Sequence, residues 1–181
     1  CDAGLQYTSQ NPVDYARALD ICQDTTANAT GANKIWGLID AELARATGPG
    51  LPFPQSHAIV ADFGDVLGPR FGQRFVLMSS GLAATPTQPY YGGPDQTPQF
   101  GPATIGPGPA RPGFPSHKQG CPVPGDGSAH DSVNLRLTLR TPTNAESLAV
   151  DHGFYSAEYP EFACSGFNDL WVILLQTDAS G

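Results

Sequence analysis

The chain has 181 residues, and its 21 glycines and 18 prolines make up about a fifth of them, against roughly an eighth in average proteins. This composition excludes a protein built of long helices. Only 14% of the residues are charged and 40% are hydrophobic, which excludes a highly charged disordered tail and predicts a hydrophobic core. The net charge of −8 disfavours a nucleic-acid partner, because nucleic-acid binding relies on clustered cations.

The length suits a single domain covering residues 1–181. The longest uninterrupted apolar run, Leu170 to Leu175, is far shorter than the roughly 20 residues of a transmembrane helix, so no transmembrane segment is expected. The sequence opens on Cys1 without a cationic and apolar leader, which we interpret as a mature form whose targeting segment has been removed. An arbitrary boundary of the sequence is the alternative, and a leading cysteine also fits an acylated lipoprotein.

The cysteines predict an oxidising compartment. They lack the C-x-x-C spacing of structural zinc sites, and an even number in a chain rich in glycine and proline favours two disulfides. Three pairings are open. We favour Cys1 with Cys22 and Cys121 with Cys164, because each bond would join a loop-like segment to a more regular neighbour. The protein is therefore expected to be secreted or exposed at the cell surface.

Two short helices are predicted in a helical N-terminal part, residues 1–50. Asn11 before Pro12 is a helix start, and apolar residues follow at helical spacing up to Cys22. The second helix is predicted from Lys34 to Thr47, where apolar residues recur at spacings of three and four before Gly48-Pro49. These apolar residues are Ile35, Leu38, Ile39, Leu43 and Ala46.

Strands are predicted after the helices, at His57 to Phe63 and at Arg74 to Ser80. Residues 83–131 contain 11 prolines and 9 glycines, and we expect a long, partly ordered excursion along the surface, clamped near its end by Cys121. A disordered linker between two domains is the alternative. The aromatic residues of this excursion are expected to pack onto the domain rather than to form a sugar platform. They are Tyr90, Tyr91, Phe100 and Phe114.

Residues 133–177 are predicted to supply the core strands. The clearest pattern is strict alternation, in which every second residue of the first segment is apolar: Val133, Leu135, Leu137 and Leu139. A second alternating segment, Leu148 to Phe154, predicts a neighbouring strand with His152 on its buried face as a hydrogen-bonded core histidine. The run Leu170 to Leu175 is apolar on both faces, as in a central strand covered on both sides. The predicted fold is mainly β, a jelly-roll-like β-sandwich with two short N-terminal helices and a long Pro/Gly-rich loop.

Oxygen-bearing side chains cluster in the same C-terminal region and could bind calcium, which takes six to eight oxygen ligands. The candidate ligands are Asp151, Glu158, Asn168 and Asp169. The alternative is that these groups cap turns or lie in solvated loops.

Signals for catalysis are weak. Neither G-x-S-x-G nor H-E-x-x-H occurs. Glu158 and Glu161 could serve glycoside hydrolysis if they were suitably separated in space. No catalytic residue is therefore assigned, and a secreted carbohydrate-active or peptide-cleaving hydrolase is the alternative function.

Segment 135–175 resembles the choice-of-anchor L domain of bacterial surface and secreted proteins, which is abundant in myxobacteria. The resemblance lies in Val150-Asp151-x-x-Phe154-x-Ser156-x-Glu158-Tyr159-Pro160-Glu161-Phe162 and in Phe167-Asn168-Asp169. The chain departs from the family at Ala157, where a glutamate is common, and at His152-Gly153, where larger apolar residues stand. The resemblance implies an extracellular β-sandwich and no particular reaction.

Members of this family continue with further strands after the N-D strand, whereas this sequence stops at Gly181. The predicted function is a structural or adhesive module, with a glycan as a possible ligand. If the strands are missing, a second copy of the chain or a C-terminal fragment of the precursor would complete the sheet and could build a filament. The alternative is that the sheet closes within these residues through 57–63 and 74–80.

Overall fold

The computed structural model of the chain describes residues 1–45, 50–63, 67–83, 108–109, 119–122, 128–129, 131–156, 160, 162–165 and 169–177. These residues include one α-helix, α1 (Pro12–Ala18), one 3₁₀ turn (Gly31–Asn33) and six strands. The strands are β1 (Gly37–Ala44), β2 (His57–Val60), β3 (Phe75–Met78), β4 (Gly108–Pro109), β5 (Ser128–Ala129) and β6 (Asn134–Arg140). They pair antiparallel as β1 with β6, β2 with β3 and β4 with β5.

Helix α1 confirms the first predicted helix. The Asn11 side chain accepts a hydrogen bond from the Val13 amide at 3.2 Å, and Pro12 occupies the first helical position, where its missing N–H costs nothing. The face of the helix that packs inward carries Tyr15, Ala16 and Ala18, all buried. The helix therefore contributes one apolar face to the core.

The second predicted helix, Lys34 to Thr47, is wrong, because residues 37–44 form strand β1. Within β1 an extra residue interrupts the pairing between Leu38 and Asp40, so that Leu38, Ala41 and Leu43 lie opposite leucines of β6. The bulge thus converts the two-residue spacing of a strand into steps of three and two. The apolar residues of β1 therefore do not alternate strictly, and the step of three after Leu38 fits a helix as well as a bulged strand.

Strand β6 confirms the alternating segment. Leu135, Leu137 and Leu139 lie opposite residues of β1, and across the pair the Arg136 guanidinium lies 2.6 Å from the Glu42 carboxylate. Each leucine nevertheless keeps part of its surface accessible, and Leu139 is exposed. The pair β1–β6 is thus covered only partly on its leucine face.

The core lies between α1, β1 and the hairpin formed by β2 and β3. The sequence analysis predicted both strands of this hairpin. One buried cluster comprises Tyr15, Ala18, Leu43 and Ile59. A second is made of Ala58, Val60 and Ala83. The N-terminal segment is attached to this core by the Ile59 amide, which donates to the Tyr7 carbonyl at 3.1 Å.

The N-terminus is held by a buried carboxylate. Asp2 accepts hydrogen bonds from the backbone N–H groups of Gln73 at 2.5 Å and Arg74 at 2.7 Å, just before β3. Gly72, with φ +68°, permits this approach, since a Cβ there would lie 2.5 Å from the Asp2 oxygen. The two backbone donors hold the pKa of Asp2 below its ordinary value against the opposing effect of burial. Asp2 therefore anchors the first residues to the β2–β3 hairpin.

The two further C-terminal strands predicted from the sequence are not formed. Residues 145–156 and 169–177 have no strand, and their large apolar side chains are exposed. A strand requires a partner for its backbone groups, and β6 pairs with β1 on one side without pairing with either segment in the described part of the chain. The expectation that Leu170 to Leu175 is a central, doubly covered strand is therefore wrong.

The described residues are mainly β, in small antiparallel sheets, which agrees with the coarse fold class. The described ranges do not display two sheets closed face to face. Most of the Pro/Gly-rich excursion 83–131 lies outside the described residues, as do its aromatic residues. The single-domain prediction stays a prediction.

Candidate functional site

Both disulfides that the sequence analysis favours are present. Cys1 is bonded to Cys22 with Cα atoms 5.6 Å apart, and Cys121 to Cys164 with Cα atoms 4.9 Å apart. The first bond closes the segment that contains α1. The second attaches the C-terminal region to the end of the Pro/Gly-rich excursion. Disulfides persist in oxidising environments, so the pair is consistent with a secreted or extracellular protein.

The four predicted calcium ligands are only partly described. Asp151 is exposed and accepts two hydrogen bonds from the Arg70 guanidinium, at 2.6 and 2.7 Å. Asp169 accepts one from the Ser156 hydroxyl at 2.7 Å. Glu158 and Asn168 lie outside the described residues. Within the described ranges no group of three or more His, Cys, Asp or Glu side chains could hold a metal ion.

His152, predicted to be buried, is exposed. Its ring stacks on Trp171, with centroids 6.3 Å apart and an interplanar angle of 24°. The contact of Ser156 with Asp169 joins the same two stretches of chain. Ser156 contacts Asp169, and His152 contacts Trp171. Residue numbers therefore rise along one stretch as they fall along the other, so the two stretches run antiparallel. They associate through side chains, and the described residues show no backbone hydrogen bonds between them.

These two stretches form the C-terminal apolar surface, which we take as the candidate functional site. Two contacts connect this surface to the loop between β2 and β3. The ring centroids of Phe63 and Tyr155 lie 5.6 Å apart, and Arg70 forms its ion pair with Asp151. The exposed side chains of the surface are Leu148, Val150, Phe154, Leu170, Trp171, Ile173, Leu174 and Leu175. Many exposed apolar side chains along two adjacent stretches are a feature of interaction sites.

A buried polar centre lies inside the N-terminal core, and the sequence analysis did not predict it. The Tyr15 hydroxyl lies 2.8 Å from the Ser9 carbonyl and 2.6 Å from Nδ1 of His57, and both rings are buried. A carbonyl oxygen only accepts, so the phenolic proton points to Ser9 and the hydrogen of His57 is assigned to Nδ1. The two rings meet edge to face at 72°.

Burial sets the protonation of this pair. It raises the pKa of Tyr15, with a smaller contribution from the Asp14 carboxylate, and it lowers the pKa of His57. Both groups are therefore neutral near pH 7. The Tyr15 oxygen donates one hydrogen bond and accepts another, and the pair fixes α1 against β2. We assign it to stability rather than to proton transfer.

Sequence reasoning missed this centre because its two members stand 42 positions apart. It also missed the Asp2 anchor, whose partners stand more than 70 positions away. Glu158 and Glu161, on which the hydrolase alternative depends, lie outside the described residues.

Comparison with known proteins finds no family model, no curated protein and no solved structure that matches the chain. No helix within the described ranges is long and apolar enough to cross a membrane. The resemblance to the choice-of-anchor L domain therefore stays a prediction from the motif in residues 135–175.

Proposed function

We propose that this chain is an extracellular or cell-surface structural and adhesive module of the choice-of-anchor L type, whose C-terminal apolar surface is covered by a second copy of the chain. In the assembled form, residues 145–156 and 169–177 become paired strands and extend the antiparallel β-structure into a sandwich. The two disulfides support the extracellular setting.

The observation that carries the proposal is the exposure of the C-terminal apolar surface. Leu175 is 71% exposed, and Ile173 is 48% exposed. Complete burial of a leucine or isoleucine side chain stabilises a protein by about 1.5 to 3 kcal/mol. Several such side chains in one short segment therefore provide a large driving force for covering it.

The charge distribution supports a second copy as the covering partner. The chain carries a net charge of −8, which opposes association over most of its surface. Residues 170–177 contain no charged side chain, and Asp151 is paired with Arg70. Two copies can therefore bring residues 170–177 together by strand addition without placing like charges opposite one another. A C-terminal fragment of the precursor is the other candidate partner.

Calcium belongs to the same proposal, at Asp151, Glu158, Asn168 and Asp169. Binding would release Asp151 from Arg70 and Asp169 from Ser156, freeing oxygen ligands at the edge of the apolar surface. Titration calorimetry and thermal melts with calcium and with chelator test this step. Absence of heat together with an unchanged melting temperature removes the metal from the proposal.

The experiment on assembly uses light scattering over a range of concentrations with matched variants. Leu175→Lys places a charge on the apolar surface, and Leu51→Lys places the same charge on an equally exposed leucine of the N-terminal region, 75% exposed. We expect wild type and Leu51→Lys to assemble and Leu175→Lys to remain at 19.0 kDa. A wild-type chain that stays monomeric at all concentrations contradicts self-assembly. Assembly only after addition of a second polypeptide supports the fragment.

A further inference from the structure

Strand β6 leaves one edge of its sheet open. Every residue of β6 lies opposite a residue of β1 on one side, whereas no strand pairs with its other side in the described part of the chain. None of its seven residues is buried. The open side of a strand presents backbone donors and acceptors with which another strand can pair. The β6 edge, the side of Asn134–Arg140 that faces away from β1, is therefore a surface that can receive a strand.

The opposite edge of the same sheet, that of β1, is partly occupied by the chain itself. The Thr25 amide donates to the Leu38 carbonyl at 2.8 Å, and the Leu38 amide donates to the Gln23 carbonyl at 2.7 Å. Residues 23–25 therefore lie along the start of β1. Four of the eight residues of β1 are buried, in contrast to β6. The accessible edge of this sheet is thus the β6 edge.

The other described strands are too short to receive the apolar run Leu170 to Leu175, which has six residues. Strands β2 and β3 have four residues each, and β4 and β5 have two each, whereas β6 has seven. The Ile59 amide of β2 already donates to the Tyr7 carbonyl at 3.1 Å, so the N-terminal segment occupies that edge. The β6 edge alone combines accessibility with sufficient length.

The apolar run also matches β6 in its pattern of side chains. Residues that lie directly opposite one another in an antiparallel pair share a face of the sheet. When Leu170 is placed opposite Leu139, which is 37% exposed, the next two alternate residues of the run also meet leucines of β6. The opposed pairs are Leu170 with Leu139, Val172 with Leu137, and Leu174 with Leu135. The added strand would thus extend the leucine face that the single chain covers only partly.

Charge favours the antiparallel direction. Arg140, at the end of β6, donates to two backbone carbonyls, at 2.8 and 2.9 Å, and no ion pair in the described part of the chain includes it. Asp169 immediately precedes the apolar run. Antiparallel addition brings Asp169 opposite Arg140, whereas parallel addition would bring it to Asn134 at the other end of the strand. Opposite charges that face one another across a strand pair stabilise the pair.

We infer that residues 170–175 of one copy add antiparallel to the β6 edge of a second copy, with Asp169 opposite Arg140. The inference rests on the proposed function for self-association, and it names the surface that receives the segment. Donor segment and acceptor edge are different parts of the chain, so each copy can donate one strand and accept another. Copies can therefore link head to tail.

The test mixes two variants, each of which lacks one half of the contact. Leu175→Lys impairs the donor segment and keeps the β6 edge. Leu139→Lys keeps the donor and places a charge opposite Leu170, as natural edge strands do to prevent pairing. Size-exclusion chromatography with light scattering should find each variant alone at 19.0 kDa. The equimolar mixture should form a pair of twice that mass, which has no further donor or acceptor and cannot grow.

Controls separate the edge from general effects of an added charge. Leu51→Lys places the same charge on a leucine outside both surfaces, 75% exposed, and should assemble as wild type does. A thermal melt of each variant alone verifies that it is folded. If Leu139→Lys unfolds, Thr138→Lys at the neighbouring exposed position replaces it.

Charge reversal tests the direction of the added strand. Arg140→Glu would face Asp169 with a like charge and should weaken assembly by about tenfold. The double variant Arg140→Glu with Asp169→Arg should restore assembly, because the two charges again attract. A purely structural role of Arg140, through its bonds to the loop before β1, would not be rescued in this way.

Three results overturn the inference: folded Leu139→Lys or Thr138→Lys assembles alone as wild type does, the mixture stays monomeric, or the double charge reversal fails to restore assembly. In each case wild-type assembly persists, so the proposed function stands with a different acceptor surface. A wild-type chain that is monomeric at all concentrations instead removes the proposed function, and this inference with it.

Discussion

Ile59 in β2 is fully buried, whereas Ile173 near the C-terminal end is 48% exposed, although both stand in short apolar runs. The same contrast holds for the two regions around them. Residues 1–83 supply the buried core, and none of the described residues from 131 onward is buried. Each region nevertheless has a disulfide and an apolar pattern that predicts strands.

The contrast shows that an apolar pattern specifies a strand only where a partner for its backbone is present. Strand β6 has β1 opposite it along its whole length. Residues 148–154 alternate equally regularly, yet in the described part of the chain no strand pairs with them. Alternation states which side chains could be buried, and pairing decides whether they are.

The largest expected effect comes from identical truncations in the two regions. Ile59 is fully buried, so Ile59→Ala leaves a cavity in the core. It should lower the free energy of unfolding by about 2 to 5 kcal/mol. Ile173→Ala, measured on the monomer, should lower it by less than about 0.5 kcal/mol. Urea denaturation of both variants provides the measurement. Equal losses would mean that the C-terminal segment is as well packed as β2.

The two disulfides extend the comparison. Replacing Cys1 and Cys22 together by serine should cost the core about 3 kcal/mol, since the bond closes the segment that carries α1 and the Asp2 anchor. Chain entropy alone predicts a larger cost for the longer loop between Cys121 and Cys164. We expect the opposite order, with less than about 1 kcal/mol for the second pair, because the described residues around its two cysteines, 119–122 and 162–165, include no buried residue. A larger loss for the second pair contradicts the regional difference.

Some of this architecture could be predicted from the sequence, where local chemistry decides it. Asn11-Pro12 predicts α1, and the alternation at 133–140 predicts β6. Because of the bulge after Leu38, β1 lacks the strict alternation that would predict a strand. The hydrogen bonds of Tyr15 with His57 depend on contacts between distant parts of the chain, which no spacing rule contains.

The buried histidine of the N-terminal region, His57, allows a pH test. Burial lowers the pKa of His57, so this histidine binds a proton less readily in the folded state than in the unfolded chain. Histidines of an unfolded chain have a pKa of about 6.5. The contribution of His57 to stability is full above about pH 6.5 and declines as the pH falls from there toward the lowered pKa. His57→Gln should flatten the dependence of the unfolding free energy on pH in this window. An unchanged slope in His57→Gln would contradict the assignment of a buried, neutral His57.

The smallest effect is expected at the ion pair that joins the two regions. Arg70 and Asp151 are both more than half exposed, so water and salt screen their attraction. Arg70→Ala should change the free energy of unfolding by less than about 0.5 kcal/mol. A loss above about 2 kcal/mol in thermal or urea unfolding would show that this contact holds the C-terminal segment against the core.

We propose that residues 145–156 and 169–177 are open in the single chain and become covered when copies meet. Hydrogen–deuterium exchange read by mass spectrometry tests it directly, at concentrations below and above assembly. We predict that amides of β1, β2, β3 and β6 exchange slowly at both concentrations. Amides of the two C-terminal segments should exchange fast in the monomer and slowly in the assembly. C-terminal segments as protected as β2 in the monomer would contradict the claim.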